Sequence, residues 1–146
     1  RDIDFHIYSD APTPAQGLGA MASLAENKAV KRIEYINGMD TEEKCIEYHA
    51  WYQDEDGDLW QFDMIHIQKG SKYDGFFERF ADRLKSILTP ETKLAILSLK
   101  NSTPDIEKIP GIEYYVAVLR DGVRTYDEFT DWRRKNPAAG VIEWMP

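Results

Sequence analysis

The sequence predicts an α/β fold of the α+β kind: a small mixed β-sheet with a β-hairpin, flanked by helices and followed by C-terminal helices. Three observations carry that expectation. Apolar and polar residues alternate in runs between Ile3 and Ile67, the two-residue period of strands with one buried face. Beyond Gly70 the apolar residues fall at helical spacing instead. The 146 residues, 42% hydrophobic and 12% aromatic, suffice for one packed domain and exclude disorder as a description of the whole chain. The expected organisation is a single domain, with its core in residues 1–70 and a helical part in 71–146.

Taken in order, Ile3 to Tyr8 reads as a strand that sets Asp2, Asp4 and His6 on one face. Ser9 to Pro14 is a turn and helix entry, and Ala15 to Asn27 is a helix with Leu18, Met21, Ala22 and Ala25 at helical spacing. Val30 to Ile36 alternates again and stops at Asn37-Gly38, a strong turn signal. Cys45 to Gln53 and Leu59 to Ile67, separated by Asp54-Glu55-Asp56-Gly57-Asp58, have the form of a β-hairpin. Phe76, Phe77, Phe80, Leu84, Ile87 and Leu88 stripe a helix from about Asp74 to Leu88. Thr89-Pro90 supplies the N-cap and first residue of the next helix, which runs to Leu99. Ile112 to Leu119 fits a strand or a buried helix, and Gly122 just beyond its end favours the helix. A last amphipathic helix spans Tyr126 to Lys135 behind a Thr125 cap, and the apolar tail Pro137 to Pro146 is expected to dock on the body.

The charge count bounds the partners. Eighteen basic against 26 acidic side chains give a net −8, which disfavours extended duplex nucleic acid. A lone Cys45 cannot form an internal disulfide, and no apolar run approaches the ~20 residues of a bilayer span, so a cytoplasmic protein with no membrane partner is expected. The chain begins at Arg1 with no initiator Met and no signal sequence, which suggests a missing N-terminal segment. Motifs of serine hydrolases, P-loops, zinc metalloproteases, paired-cysteine sites and Rossmann folds do not occur.

The chemistry concentrates in Arg1-Asp2-Ile3-Asp4-Phe5 and Gln61-Phe62-Asp63-Met64-Ile65. Carboxylates at i and i+2 on a strand project from one face, about 7 Å apart at their Cα atoms, and can share a divalent ion. Asp63 stands alone among apolar neighbours, where an unpaired buried carboxylate is costly. If the second hairpin arm lies beside the first strand, Asp2, Asp4 and Asp63 meet. Such hard oxygen ligands suit Mg²⁺ or Mn²⁺ bridging to substrate phosphates, in phosphoryl or nucleotidyl transfer. The plainer alternative is a solvated, acidic strand terminus.

A strand with Asp-x-Asp, then helix, strand and a hairpin whose later arm holds a lone acidic residue, resembles the nucleotidyltransferase fold superfamily, in particular its small bacterial members. Arg1-Asp2-Ile3-Asp4-Phe5 is similar to that family's strand with paired acidic residues, and Phe62-Asp63-Met64 looks like its third acidic position. The helices after Gly70 and the stretch Gly111 to Tyr115 look like C-terminal helices of small members. The resemblance, which covers about Arg1 to Ile67 for the core, implies a metal-dependent enzyme. It would transfer a nucleotidyl group from a nucleoside triphosphate to an acceptor that the sequence does not specify. Asp2, Asp4 and Asp63 would be its metal ligands and catalytic residues, with Asp63 also the candidate base. The family keeps a Gly-Ser pair upstream of the paired carboxylates, and no residue here matches it, since Gly17-x-Gly19 follows the strand. A catalytically silent module of the same fold, binding a nucleotide or a protein partner, is the alternative; the tail with Trp144 and Met145 offers an interface for a partner or a second copy.

Other residues have a structural and a functional reading. Lys69 and Lys72, with Arg79, follow the Asp63 strand and are candidates for triphosphate contact. His6 and His66 lie on the candidate strands, His66 on the face opposite Asp63, and satisfied structural histidines are the commoner case. Asp54 to Asp58 has its glycine at the wrong offset for a calcium loop and reads as a turn. Cys45 reads as a structural thiol, and Arg133-Arg134-Lys135 as a complement to a helix dipole.

Overall fold

The alternating runs of the first half become four strands, joined in the order β1-β4-β3-β2 in a computed structural model that describes residues 2–104, 106–137 and 144–146. The strands are β1 (Asp2–Ser9), β2 (Val30–Asn37), β3 (Cys45–Gln53) and β4 (Leu59–Gln68). β1 runs parallel to β4, whereas β2 and β3, and β3 and β4, are antiparallel. The sheet is therefore mixed, and α1, β2 and β3 lie in the chain between β1 and its parallel neighbour β4. The hairpin turn is held by Asp54: its Oδ1 accepts the backbone N–H groups of Asp56 (3.1 Å) and Asp58 (2.8 Å), and its Oδ2 the Trp60 indole N–H (2.9 Å). Gly57 takes the left-handed conformation there, φ +85°. These aspartates serve the turn, as the sequence suggested.

The helices are α1 (Pro14–Ala25), α2 (Phe76–Ile87), α3 (Pro90–Ser102), α4 (Gly111–Tyr115) and α5 (Tyr126–Lys135), with a π-helical turn at Val116–Arg120 directly after α4. Thr13 caps α1, and Thr89 and Thr125 open α3 and α5 with capping boxes completed by Thr92 and Glu128. Among the described residues no helix is long and apolar enough to cross a membrane. The chain divides into two compact units, Arg1–Phe77 and Glu78–Pro146. The sequence-expected core of residues 1–70 lies within the first, and the division falls inside α2.

Each unit has its own apolar interior. In the first, Met21 and Leu24 of α1 pack on one sheet face against Ile33, Ile46, Tyr48 and Met64. On the other face, Tyr73 and Phe76 cover Cys45, Ile65, Ile67 and Tyr8. That cover lies toward the C-terminal ends of β1 and β4 and leaves the half bearing Asp2, Asp4 and Asp63 outside the cluster. In the second unit, Ile96, Leu99, Val116, Ala117, Val118 and the Tyr114–Phe129–Trp132 ring stack form the core. The run Ile112 to Leu119 is helical, and Val116, Ala117 and Val118 are all at most 1% exposed. Ile112, Tyr115 and Leu119 are only partly buried but apolar like Val116, Ala117 and Val118, so the run shows no polar face in sequence, which is why it was ambiguous. Trp144 packs on this core and edge-on to Phe80; residues 138–143 of the tail lie outside the described residues.

The two glycines of α1 differ in what surrounds them. A Cβ on Gly17 would fall 2.0 Å from the hydroxyl of Tyr48, whose ring is 2% exposed, whereas one on Gly19 meets open space. Gly19→Ala should therefore raise stability in urea by about 0.5–1 kcal/mol through helix propensity. Gly17→Ala should lower it by about 1–3 kcal/mol through overpacking. Equal effects at the two positions would rule out the close α1–Tyr48 approach.

Candidate functional site

Pairing across the sheet sorts the polar face into rungs, because directly opposed residues share a face. One rung runs Glu34, His49, Asp63, Asp4 across all four strands. The rung on one side is Arg32, Trp51, Gln61, Asp2, and on the other Ile36, Glu47, Ile65, His6. Asp4 and Asp63 thus sit on adjacent parallel strands, about 4.8 Å apart in the backbone, with Asp2 one step along the same face. The register places the three sequence-predicted carboxylates on one face of adjacent strands.

Their surroundings differ. Asp2 and Asp4 are exposed, while the Asp63 side chain keeps 17% of its surface. Partial burial, followed by the charges of Asp2 and Asp63, holds the Asp4 carboxyl above the ordinary carboxylate range, and His6 offsets this only in part. Neighbouring negative charge is the condition a hard divalent cation relieves, but the carboxylate oxygens of Asp2, Asp4 and Asp63 do not all lie within 4.8 Å of one another, so sharing one ion would require them to move. Asp63 is oriented from two sides. The Gln61 amide donates to its Oδ1 (2.9 Å) and Oδ2 (3.1 Å), and His49 Nδ1 bonds its Oδ1. The other ring nitrogen, Nε2, meets Glu47 Oε2 at 3.1 Å. Burial by itself would lower the His49 pKa, but hydrogen bonds to Asp63 and Glu47, and their charges, outweigh it and hold the imidazole above its usual value.

The lysines expected at a triphosphate lie elsewhere. Lys69 follows the end of β4, six residues beyond Asp63, about 20 Å away at the strand rise. Its Nζ stands 3.9 Å from Asp10, and that of Lys72 3.8 Å from Glu42 and over the Tyr73 ring. Arg79 belongs to α2 in the second unit. On the same sheet face, on the far edge strand β2, the Arg32 guanidinium pairs with Glu34 and covers the Trp51 ring at 4.4 Å.

The two singled-out histidines separate as the strand alternation requires. His6 shares the carboxylate face and packs on Phe77, ring centroids 4.6 Å apart. His66 lies on the opposite face, where burial lowers its pKa and its Nε2 meets Ser9 Oγ at 2.7 Å. Arg133 bonds Glu113 and Glu107, and Arg134 bonds Asp131.

Glu43, Cys45 and Glu47 also converge, each offering an atom within 4.8 Å of the others. The Cys45 Sγ lies 3.9 Å from a carboxylate oxygen of each glutamate, and its single S–H can donate to either. Burial, then the charges of Glu47 and Glu43, push its pKa up to about 11, the reverse of what a thiolate ligand needs. At pH 8 the folded chain should react with a thiol-exchange reagent at least ~100-fold more slowly than the urea-unfolded chain, the loss expected from thiolate fraction alone. Comparable rates would show that the thiol is accessible and ionised.

Glu47 and His49 stand at i and i+2 on β3, as Asp2 and Asp4 do on β1, and Gln61 at i−2 from Asp63, so strand alternation was the signal that could have singled them out. The hairpin itself locates His49. Counting four residues back from Gln53 and four on from Leu59, the pair that closes the loop, lands on His49 and Asp63. Compared with protein-family models, with curated proteins and with solved structures, the chain matches none.

Proposed function

We propose that the first unit is a metal-dependent nucleotidyltransferase-type domain, taking a nucleoside triphosphate and modifying an acceptor hydroxyl. The observation that carries this reading is the register of β1 and β4, which sets Asp4 opposite Asp63 with Asp2 beside them. Asp2, Asp4 and Asp63 would hold Mg²⁺ or Mn²⁺. Such an ion, when bound, neutralises phosphate charge and favours departure of pyrophosphate. Asp63 is fixed through Oδ1, and its Oδ2, which takes only the longer Gln61 contact, is the atom left to meet the ion or accept the hydroxyl proton. Glu34 and Glu47 add negative charge along the rungs, so a triphosphate approaches this face only with cations.

A second reading, a silent module of the same fold that binds a nucleotide or a protein partner, is favoured by the distance of Lys69 and Lys72 from the carboxylates. Calorimetric titration with Mn²⁺, then with each nucleoside triphosphate in its presence, tests both. Cation-dependent triphosphate binding with pyrophosphate release supports the enzyme. Binding without release supports the silent module, and no cation binding refutes the metal site.

A further inference from the structure

We propose that the outer edge of β1 pairs antiparallel with β1 of a second copy of this chain, Phe5 opposite Phe5, joining the two four-stranded sheets into one. The pairing needs no bound ion, so it stands or falls apart from the nucleotidyltransferase reading.

The two edge strands, β1 and β2, differ in how their edges are guarded. A strand paired on one side presents a row of backbone N–H and C=O groups, and proteins blunt such edges with lysines, prolines and bulges. β2 has exposed Lys31 and Arg32 and a register shift between Val30 and Arg32. β1 has none of these: Asp2–Ser9 pairs with β4 residue for residue, and its outer side meets no other strand among the described residues. Its apolar side chains are open as well. The cluster beneath α1 takes Ile33 from β2, Ile46 and Tyr48 from β3 and Met64 from β4. Ile3, Phe5 and Ile7 carry the same face outward onto β1, where they stay 37%, 47% and 44% exposed.

The sequence of β1 selects the occupant of that edge. Opposed residues on antiparallel strands share a face, so a two-fold axis relating two β1 strands passes through a residue pair and not between residues. Centred on Asp4, the register sets Asp4 against Asp4, like charges in direct opposition. Centred on His6, it sets Asp4 against Tyr8 and Ile3 against Ser9. Centred on Phe5, it sets Phe5 against Phe5, Ile3 against Ile7 and Asp4 against His6. The apolar stripe then meets its own copy, and each Asp4 faces an imidazole, which has an N–H to donate in either charge state. A strand from another protein would have to supply this pattern of apolar residues with a base between them, whereas β1 supplies it itself.

Sedimentation equilibrium of the 146-residue chain tests the proposal, with melting temperature recorded for each variant. A strand pair is a small interface, so a monomer–dimer equilibrium with a micromolar dissociation constant is expected. Phe5→Lys sets like charges on the two-fold axis at a half-exposed position and should weaken the dimer at least ~10-fold. Cysteine cross-linking reads the register. Under mild oxidation Phe5→Cys should link to itself across the axis, and Ile3→Cys should link to Ile7→Cys in a mixture but not to itself. The wild type, whose Cys45 is buried, is the control. Should Phe5→Lys fail to fold, the cross-links still decide. A chain that stays monomeric up to ~0.5 mM would overturn the second copy as occupant and leave the edge to a strand of another protein. A dimer that a folded Phe5→Lys leaves unchanged, or one in which Ile3→Cys links to itself, would overturn the pairing as well.

Discussion

On the proposed reading of the first unit, Asp63→Asn should abolish cation-dependent nucleotidyl transfer and leave the fold intact. The amide keeps the volume of the carboxylate and an oxygen for Gln61, so the β3–β4 pairing has no reason to open. What it loses is the charge that stands opposite Asp4 on β1 and the carboxylate partner of His49 Nδ1, so a modest loss of stability is expected with the fold retained. A divalent ion contributes several kcal/mol to a phosphoryl transition state, so its loss should lower the rate by ~10³-fold or more, with Mn²⁺ affinity down by at least ~100-fold. Asp4→Asn should lower the rate similarly but differ in stability. The Asp4 carboxyl already sits above its ordinary range, so without added cation its charge at neutral pH costs the folded state free energy. The sign follows: the Asn variant should melt at or above the wild-type temperature near pH 7, and the gain should vanish once acid protonates Asp4 in both folded and unfolded chains. Unchanged transfer in either variant would remove the carboxylate trio from the chemistry. A matched control is Asp10→Asn beyond the end of β1, which should leave the rate unchanged.

Much of the first unit is legible in its sequence because its signals are local. Asn37-Gly38 and the Asp54 to Asp58 loop mark chain reversals, and the alternation between them fixes both the strands and the faces of Asp2, Asp4, His6 and His66. The pairing of β1 with β4 is not local, and only when it is known do Asp4 and Asp63 become neighbours. Proximity in sequence misled at Lys69 and Lys72, since each residue of extended strand adds about 3.3 Å and six of them remove Lys69 from the rung. His49 was readable only in two steps: alternation puts it on the face of Glu47, and counting back from the hairpin loop sets it opposite Asp63. The division at Phe77 leaves no composition shift to read, because it falls within the continuous stripe of α2. The helix after Gly111 was obscured because its partly buried positions are apolar too.

In the second unit the largest stability loss should come from Arg133→Met. Glu113 is 3% exposed and the sole charged residue among the described residues that is so buried. Its carboxylate accepts from Arg133 Nε at 2.9 Å, while Arg133 Nη1 bonds Glu107 at 3.1 Å, tying α5 to α4 and to the segment before it. Removing the guanidinium strands a buried carboxylate without its cation. Breaking a buried pair from one side costs about 3–5 kcal/mol, and the low end applies because Arg133 itself remains 35% open to solvent. A unit of this size has only about 3–10 kcal/mol in total, so most of its margin would go. The far-ultraviolet helical signal in urea should therefore fall at lower denaturant in Arg133→Met than in wild type, since α3, α4 and α5 all lie in this unit. The double variant Glu113→Met with Arg133→Met separates the causes: it leaves no buried charge, so it should regain most of the loss even though the ion pair is gone. If the double variant were as unstable as Arg133→Met alone, the packing of the arginine stem would be what holds α5. If Arg133→Met unfolded with the wild-type midpoint, the pair would contribute nothing to the unit.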